Sequence, residues 1–298
     1  MTELVLTGLY GTNPIGILAA LGVLEALSGR DVPVTLRWQD NGSWCPVLRG
    51  VEGGLDDLID LINQDRLTCL HETALALEYG GKRDIKPLPA RFREYLLNLL
   101  QAATPDSRRG VDWAASFATD VIVDNNGNTK PTALHFTAGQ QQFLSMARSL
   151  AEGVTPEDLR AALLGPWRYD RALPVMGWDS TIARDYALRA SNPSTDKKLG
   201  VPGADWLAVR GLAALPVFPV GKRANTTGCV GGWKNGAFRW PLWVVPLTRD
   251  MARVVMRLDC EGWSRDERSA LGIGLVLGSK IRRHETGGRG SFEPATVL

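Results

Sequence analysis

The sequence predicts an α+β fold, and three observations carry that prediction. Segments with helical periodicity and recognisable caps dominate the first half, and a few short alternating runs lie among them. Glycine, proline and aromatic residues then crowd the last third around a basic stretch. A helix-rich N-terminal part with a small sheet is expected over residues 1–165. A mixed α/β C-terminal part with a basic, glycine-rich hairpin is expected over residues 166–298, and a single domain stays open. The chain has 298 residues, 44% of them hydrophobic and 22% charged, which is the composition of a globular protein with a sizeable core.

Residues 4–6 read as a first strand. Asn13 is a good N-cap and Pro14 fits the first turn of a helix reaching residue 27, with Ser28-Gly29 as its stop. Apolar residues cover nearly every face of that helix, so it is expected to be buried. Gly16, Ala19, Ala20 and Gly22 keep it slim enough for another backbone to come close. Residues 33–38 alternate like a second strand. Residues 55–62 form an amphipathic helix with Asp56, Asp57 and Asp60 on its wet side, a solvated face rather than a metal site. A further helix is expected over 89–100, with Pro89 at its start and Pro105 beyond its end.

Residues 119–124 read as a strand turning at Asn125-Asn-Gly-Asn128. Thr137 is expected to cap a helix running to residue 150. Thr155-Pro-Glu-Asp158 is a capping box for a helix to 164, stopped by Gly165-Pro166. Residues 167–192 are irregular and aromatic, with Trp167, Tyr169, Trp178 and Tyr186. A helix rich in small residues follows over 205–215. Residues 239–245 are expected as an edge or entry strand, since Pro241 is poorly placed in a central one. Thr248 caps a helix through 257, Ser264 caps one over 265–271, and 273–277 is expected as the last strand.

Net charge is only +2, so its distribution matters more than its sum. The charged residues between 40 and 72 are mostly acidic, with only Arg49 and Arg66 opposing them. Residues 206–248 contain no aspartate or glutamate but hold Arg210, Lys222, Arg223, Lys234 and Arg239. Within that window, residues 221–240 interleave glycine and bases with Trp233, Phe238 and Trp240. Glycine admits close backbone approach, bases neutralise phosphates, and rings can stack on bases, so a polyanion suits this stretch. A mobile hairpin loop whose bases serve solubility is the alternative. Lys280, Arg282, Arg283 and Arg289 form a second basic run in a glycine-rich tail with Glu285 and Glu293.

Catalytic signatures are missing. The four cysteines are far apart, and His71, His135 and His284 have no metal-ligand spacing. No nucleophile elbow, phosphate loop or dinucleotide fingerprint occurs. No catalytic residue, metal or cofactor is therefore expected, and neither is a leader, a membrane span or a location outside the cytoplasm. The enzyme alternative is a metal-dependent nuclease acting on DNA or RNA, using Asp120, Asp124 and Lys130 or the Asp179/Asp185 pair; the Asn-Gly turn explains the first set better.

Several blocks, taken in order, resemble the large subunits of type I CRISPR effectors of the I-U (now I-G) group. They are Thr12-Asn-Pro-Ile-Gly-Ile-Leu-Ala-Ala-Leu-Gly-Val-Leu-Glu-Ala26, Leu134-His-Phe-Thr-Ala-Gly-Gln-Gln141 and Ala204-Asp-Trp-Leu-Ala-Val-Arg-Gly-Leu-Ala213. Thr226-Thr-Gly228, Trp240-Pro-Leu-Trp243 and the basic run after Leu277 continue the series. The resemblance implies a non-catalytic subunit of a crRNA-guided surveillance complex (Cascade). Its partners would be crRNA, target double-stranded DNA, the other Cascade subunits and a helicase–nuclease that it helps recruit. It would read the protospacer-adjacent motif and help open the duplex. The residues themselves offer Lys222 and Arg223 for phosphates, and Asn225, Thr226, Thr227 and Asn235 for base edges. Trp233 is expected as a wedge between bases. Lys234, Arg239, Lys280, Arg282, Arg283 and Arg289 are expected to hold nucleic acid. A purely structural subunit gripping guide RNA is the other non-enzymatic reading.

Overall fold

In a computed structural model the chain is described over residues 3–29, 33–104, 107–181, 199–283 and 289–298. Pro105, Asp185, Tyr186, His284, Glu285 and the end of the irregular 167–192 region lie outside the described residues. Strand β1 (Glu3–Val5) leads into helix α1 (Pro14–Ala26), whose start is set by the Asn13 side chain accepting from Ile15 N. The hairpin β2 (Thr35–Asp40) and β3 (Trp44–Arg49) follows, then α2 (Leu55–Cys69), α3 (Pro89–Ala102) and α4 (Arg109–Phe117). A second hairpin, β4 (Ala118–Val123) and β5 (Thr129–Pro131), turns where Asp124 Oδ1 accepts from Asn126 N and Asn128 N. Next come α5 (Phe143–Gly153), α6 (Pro156–Leu164) behind the Thr155 capping box, and α7 (Pro202–Gly211).

The remainder is strand-rich: β6 (Val217–Val220), β7 (Arg223–Thr226), β8 (Cys229–Val230), β9 (Ala237–Trp243) and β10 (Leu247–Thr248). Thr248 caps α8 (Arg249–Val255) and a Ser264 capping box opens α9 (Arg265–Ala270). Strands β11 (Ile273–Arg283), β12 (Gly290–Phe292) and β13 (Thr296–Val297) end the chain. The fold is α+β. One antiparallel sheet runs β1-β3-β2-β10 and another β12-β11-β9-β8 with β13 on β11, while β4-β5 and β6-β7 are separate ribbons.

Helix α1 is buried along almost its whole length and packs backbone to backbone on α7. A Cβ built on Gly22 would stand 1.8 Å from Leu207 O, and one on Gly211 would stand 2.0 Å from Leu18 O. Residues from Leu6 to Phe292 share one apolar cluster, so both sides of Gly165-Pro166 contribute to the same core. Two buried indoles that find carbonyls are Trp113, whose Nε1 donates to Val209 O at 2.9 Å, and Trp240, whose Nε1 donates to Gly11 O at 2.8 Å, whereas the buried Trp38 Nε1 has no partner among the described residues. An ionic network joins the helices. Asp65 of α2 meets Arg210 of α7 at 3.0 Å and Arg109 of α4 at 2.8 Å. Glu25 of α1 meets Arg253 of α8 at 2.6 Å, and Arg253 also meets Asp112 at 3.0 Å. Burial works against the Arg210 charge, but Asp65 and its neighbours outweigh it and hold the guanidinium above its ordinary pKa.

Four expectations need correction. Helix α2 runs on to Cys69, past residue 62. Thr137 caps no helix: Gly139 at φ +64° breaks the path, α5 begins only at Phe143, and Thr137 pairs with the His135 ring at 2.8 Å. The expected last strand, 273–277, extends through Arg283 and is followed by two more, so Lys280, Arg282 and Arg283 are strand residues and not a tail. Strand β9 is not an edge throughout. It lies between β11 and β8, but β8 reaches only Phe238 and Ala237, which leaves Pro241 paired on one side.

Asp205 of α7 is buried and accepts from Met176 N at 3.0 Å. Burial pushes its carboxyl up to about 8 from 3.8. A raised folded-state pKa stabilises the fold fully below the unfolded value, and that stability is lost as pH rises through the folded value. Unfolding free energy is therefore expected to fall between pH 4 and 8, by up to roughly 1.4 kcal/mol per pH unit. Asp205→Asn should flatten that slope in denaturant titrations; an unchanged slope would show that the carboxyl is ionised in the fold.

Candidate nucleic-acid interface

Between residues 217 and 243 the acid-free stretch folds as two successive hairpins. Strands β6 and β7 close through the two-residue turn Gly221-Lys222, where Gly221 at φ +57° supplies the conformation such a tight turn requires. After Thr226-Thr-Gly228, β8 turns back through residues 231–236 into β9. These turns, the β4–β5 ribbon and the end of β11 enclose a cleft of about 280 Å³. Lys130, Lys222, Arg223 and Arg283 line it together with Trp233, and among the described residues no aspartate or glutamate does. Like charges so arranged reinforce one another's field in a concave, partly desolvated space, which attracts anions.

Arg283 is the brace of this cleft. Its Nη1 donates to His135 O at 2.9 Å, its Nη2 to Ala133 O at 2.6 Å and its Nε to Trp233 O at 3.2 Å. Its guanidinium lies 3.5 Å from the Trp233 ring centroid, and the Lys130 ammonium lies over the same ring at 4.6 Å. Burial pushes Arg283 down to about 10, which still leaves it charged at neutral pH. Burial also lowers Lys130, against the pull of Asp124 and with help from the Arg283 and Lys86 charges. Trp233, expected as a wedge, thus carries two cations against its ring while about a third of its surface, 36%, stays exposed.

The other candidates divide sharply. Lys222 and Arg223 are exposed at the β6–β7 turn and make no ion pair among the described residues. Asn225 is half-buried on the cleft wall. Thr226 and Thr227, expected at base edges, are buried and already bonded. Thr226 Oγ1 accepts from Ala133 N at 2.8 Å and pairs with Thr132 Oγ1, while Thr227 Oγ1 donates to Pro216 O at 3.1 Å. Thr226 thus staples the ribbon to residues 132–133 and Thr227 ties it back to Pro216, so both hydroxyls are already engaged within the protein. Lys234 and Asn235 are exposed on the 231–236 turn, outside the cleft lining. Arg239 also lies outside it, bonded to Glu261 at 2.9 Å. Lys280 is exposed on β11, Arg282 pairs with Glu293 at 3.2 Å, and Arg289 is half-buried, its pKa lowered by burial. Lys130 was legible in the sequence only as a nuclease lysine, because nothing local joins it to a loop almost a hundred residues away.

Among the described residues, the candidate nuclease carboxylates Asp120, Asp124 and Asp179 have partners elsewhere. Asp120 pairs with Arg93 at 2.8 Å, and Asp124 holds the β4–β5 turn. Asp179 is buried and accepts from Asn13 Nδ2 at 2.8 Å, the Tyr169 hydroxyl at 2.9 Å and the Thr181 hydroxyl at 2.7 Å. Among the described residues no group of three or more histidine, cysteine, aspartate or glutamate side chains is placed to hold a metal. A His135–Asp84 pair at 3.2 Å had gone unseen in the sequence. Its ring is buried and stacked on Phe143, and burial lowers its pKa, so it supports the segment that Arg283 grips.

No protein-family model matches this chain, and no curated protein matches it. Among the described residues no helix is long and apolar enough to cross a membrane.

Proposed function

We propose that this chain is a non-catalytic subunit of a crRNA-guided type I CRISPR surveillance complex. It binds target double-stranded DNA, contributes to reading the protospacer-adjacent motif, and helps recruit the helicase–nuclease. The observation that carries the reading is the cationic cleft, lined by no acid among the described residues, which gathers Lys130, Lys222, Arg223 and Arg283 from three separate parts of the chain. Lys222 and Arg223 stand at the tip of a two-residue turn, where they are accessible to phosphates. Phosphate contacts of this kind fix the register in which other groups meet bases. The commitment of Asp120, Asp124 and Asp179 to other partners supports the non-catalytic part of this reading.

Lys222→Ala combined with Arg223→Ala is expected to weaken duplex binding by the assembled complex. The slope of log affinity against log salt should become shallower by about 2, since each lost phosphate contact removes about 0.9. Wild-type affinity and slope in the double variant would remove these residues from the interface. Arg282→Ala, already paired with Glu293, is the comparison expected to change the slope less.

A further inference from the structure

The cleft is concave and small, and that limits what can occupy it. Duplex phosphates lie on a convex surface with the bases paired inside, so a duplex can touch the rim of such a cleft but cannot fill it. A volume of about 280 Å³ is at the lower end of the roughly 300–1,000 Å³ typical of small-molecule sites. One nucleotide is of that order.

The lining is divided as a nucleotide would need. Lys222 and Arg223 stand exposed at one turn, while Val123, Pro131, Val230 and Ile281 supply an aliphatic wall. Between them, Asn225 is half-buried and its side chain makes no hydrogen bond among the described residues. A side-chain amide carries both donors and an acceptor, matching the mixed edge of a base. Thr226, the neighbouring hydroxyl, is spent on Ala133 N.

We propose that this cleft seats one unpaired nucleotide, with its phosphate on Lys222 and Arg223, its base against the aliphatic wall and its polar edge on Asn225. The ligand class at this site is therefore single-stranded nucleic acid. The proposal rests on the reading above that these cations meet nucleic-acid phosphates, and it adds that the strand must be unpaired where it enters. Because Arg283 and Lys130 lie over Trp233, the base packs on aliphatic side chains and does not stack on the indole.

The test uses the full chain in fluorescence anisotropy with labelled oligothymidylate, oligouridylate and a blunt duplex of equal length, with thymidine 5′-monophosphate as competitor. Val123→Trp places a bulky ring in the cleft from an exposed position without altering charge, and its thermal unfolding serves as the folding control. Single strands are expected to bind about tenfold tighter than the duplex and to lose about tenfold in affinity in Val123→Trp, the order carried by one seated base. The monophosphate should compete. Tighter binding of either single strand than of the duplex supports the assignment; a preference between thymidylate and uridylate reports the 2′-hydroxyl and the 5-methyl group together.

Duplex competing as well as single strands, or wild-type single-strand affinity in a folded Val123→Trp, overturns it. If duplex binding still depends on Lys222 and Arg223 in that case, only this inference falls. If no nucleic acid binds in a manner dependent on Lys222 and Arg223, the function proposed above falls with it.

Discussion

Asp65→Ala is expected to cost about 3–5 kcal/mol of stability, the range for removing one partner of a buried ion pair. Asp65 holds Arg210 at 3.0 Å and Arg109 at 2.8 Å. Without it, Arg210, only 2% exposed, keeps its charge in the core with one bond to Glu25 O and a Nη1 that already has no partner. The loss is large beside the roughly 5–15 kcal/mol that stabilises an ordinary domain. Urea titration followed by far-UV circular dichroism would read it. The paired replacement Asp65→Leu with Arg210→Met should recover most of the loss, because it removes both charges and leaves apolar bulk. A cost below about 1 kcal/mol in the single variant would mean that water reaches the pair.

Gly22→Ala is expected to be at least as damaging. The added carbon would lie 1.8 Å from Leu207 O and 2.7 Å from Leu207 C, and both are backbone atoms of a buried helix that cannot swing away. α1 and α7 would have to separate, opening the core that both halves of the chain share. Gly211→Ala should behave alike, since its added carbon meets Leu18 O at 2.0 Å. Gly232→Ala is the control, with nothing within 4 Å of the new carbon. Soluble yield and melting temperature should collapse for the first two and hold for the third. A well-folded Gly22→Ala protein would refute the backbone-to-backbone packing.

The sequence displayed best what is decided locally. Asn13, Thr155, Thr248 and Ser264 each start a helix by bonding an amide two or three residues ahead, so the signal and its effect lie in one short window. The slimness of α1 was equally visible, because glycine spacing announces close approach before the partner is known. What failed depended on distant partners. The second half of β11 alternates charged residues with buried ones, and its strand character comes from β9 and β12. Thr226 and Thr227 look like surface polar residues until Thr132, Ala133 and Pro216 are placed beside them. Within the site, Lys222 and Arg223 stood out in an acid-free window. The part played by Lys130 and the bracing by Arg283 required the fold to bring four chain segments together.

That bracing has a kinetic corollary. Arg283 fastens Ala133, His135 and Trp233 to the end of one long strand through three carbonyls. If the cleft receives nucleic acid as proposed, its receiving surface is assembled along with the protein itself, and an arriving guest has little left to organise. Its capture rate should then be governed by how often the two molecules meet, accelerated at low ionic strength by opposite charge, and not by a slow rearrangement of the host.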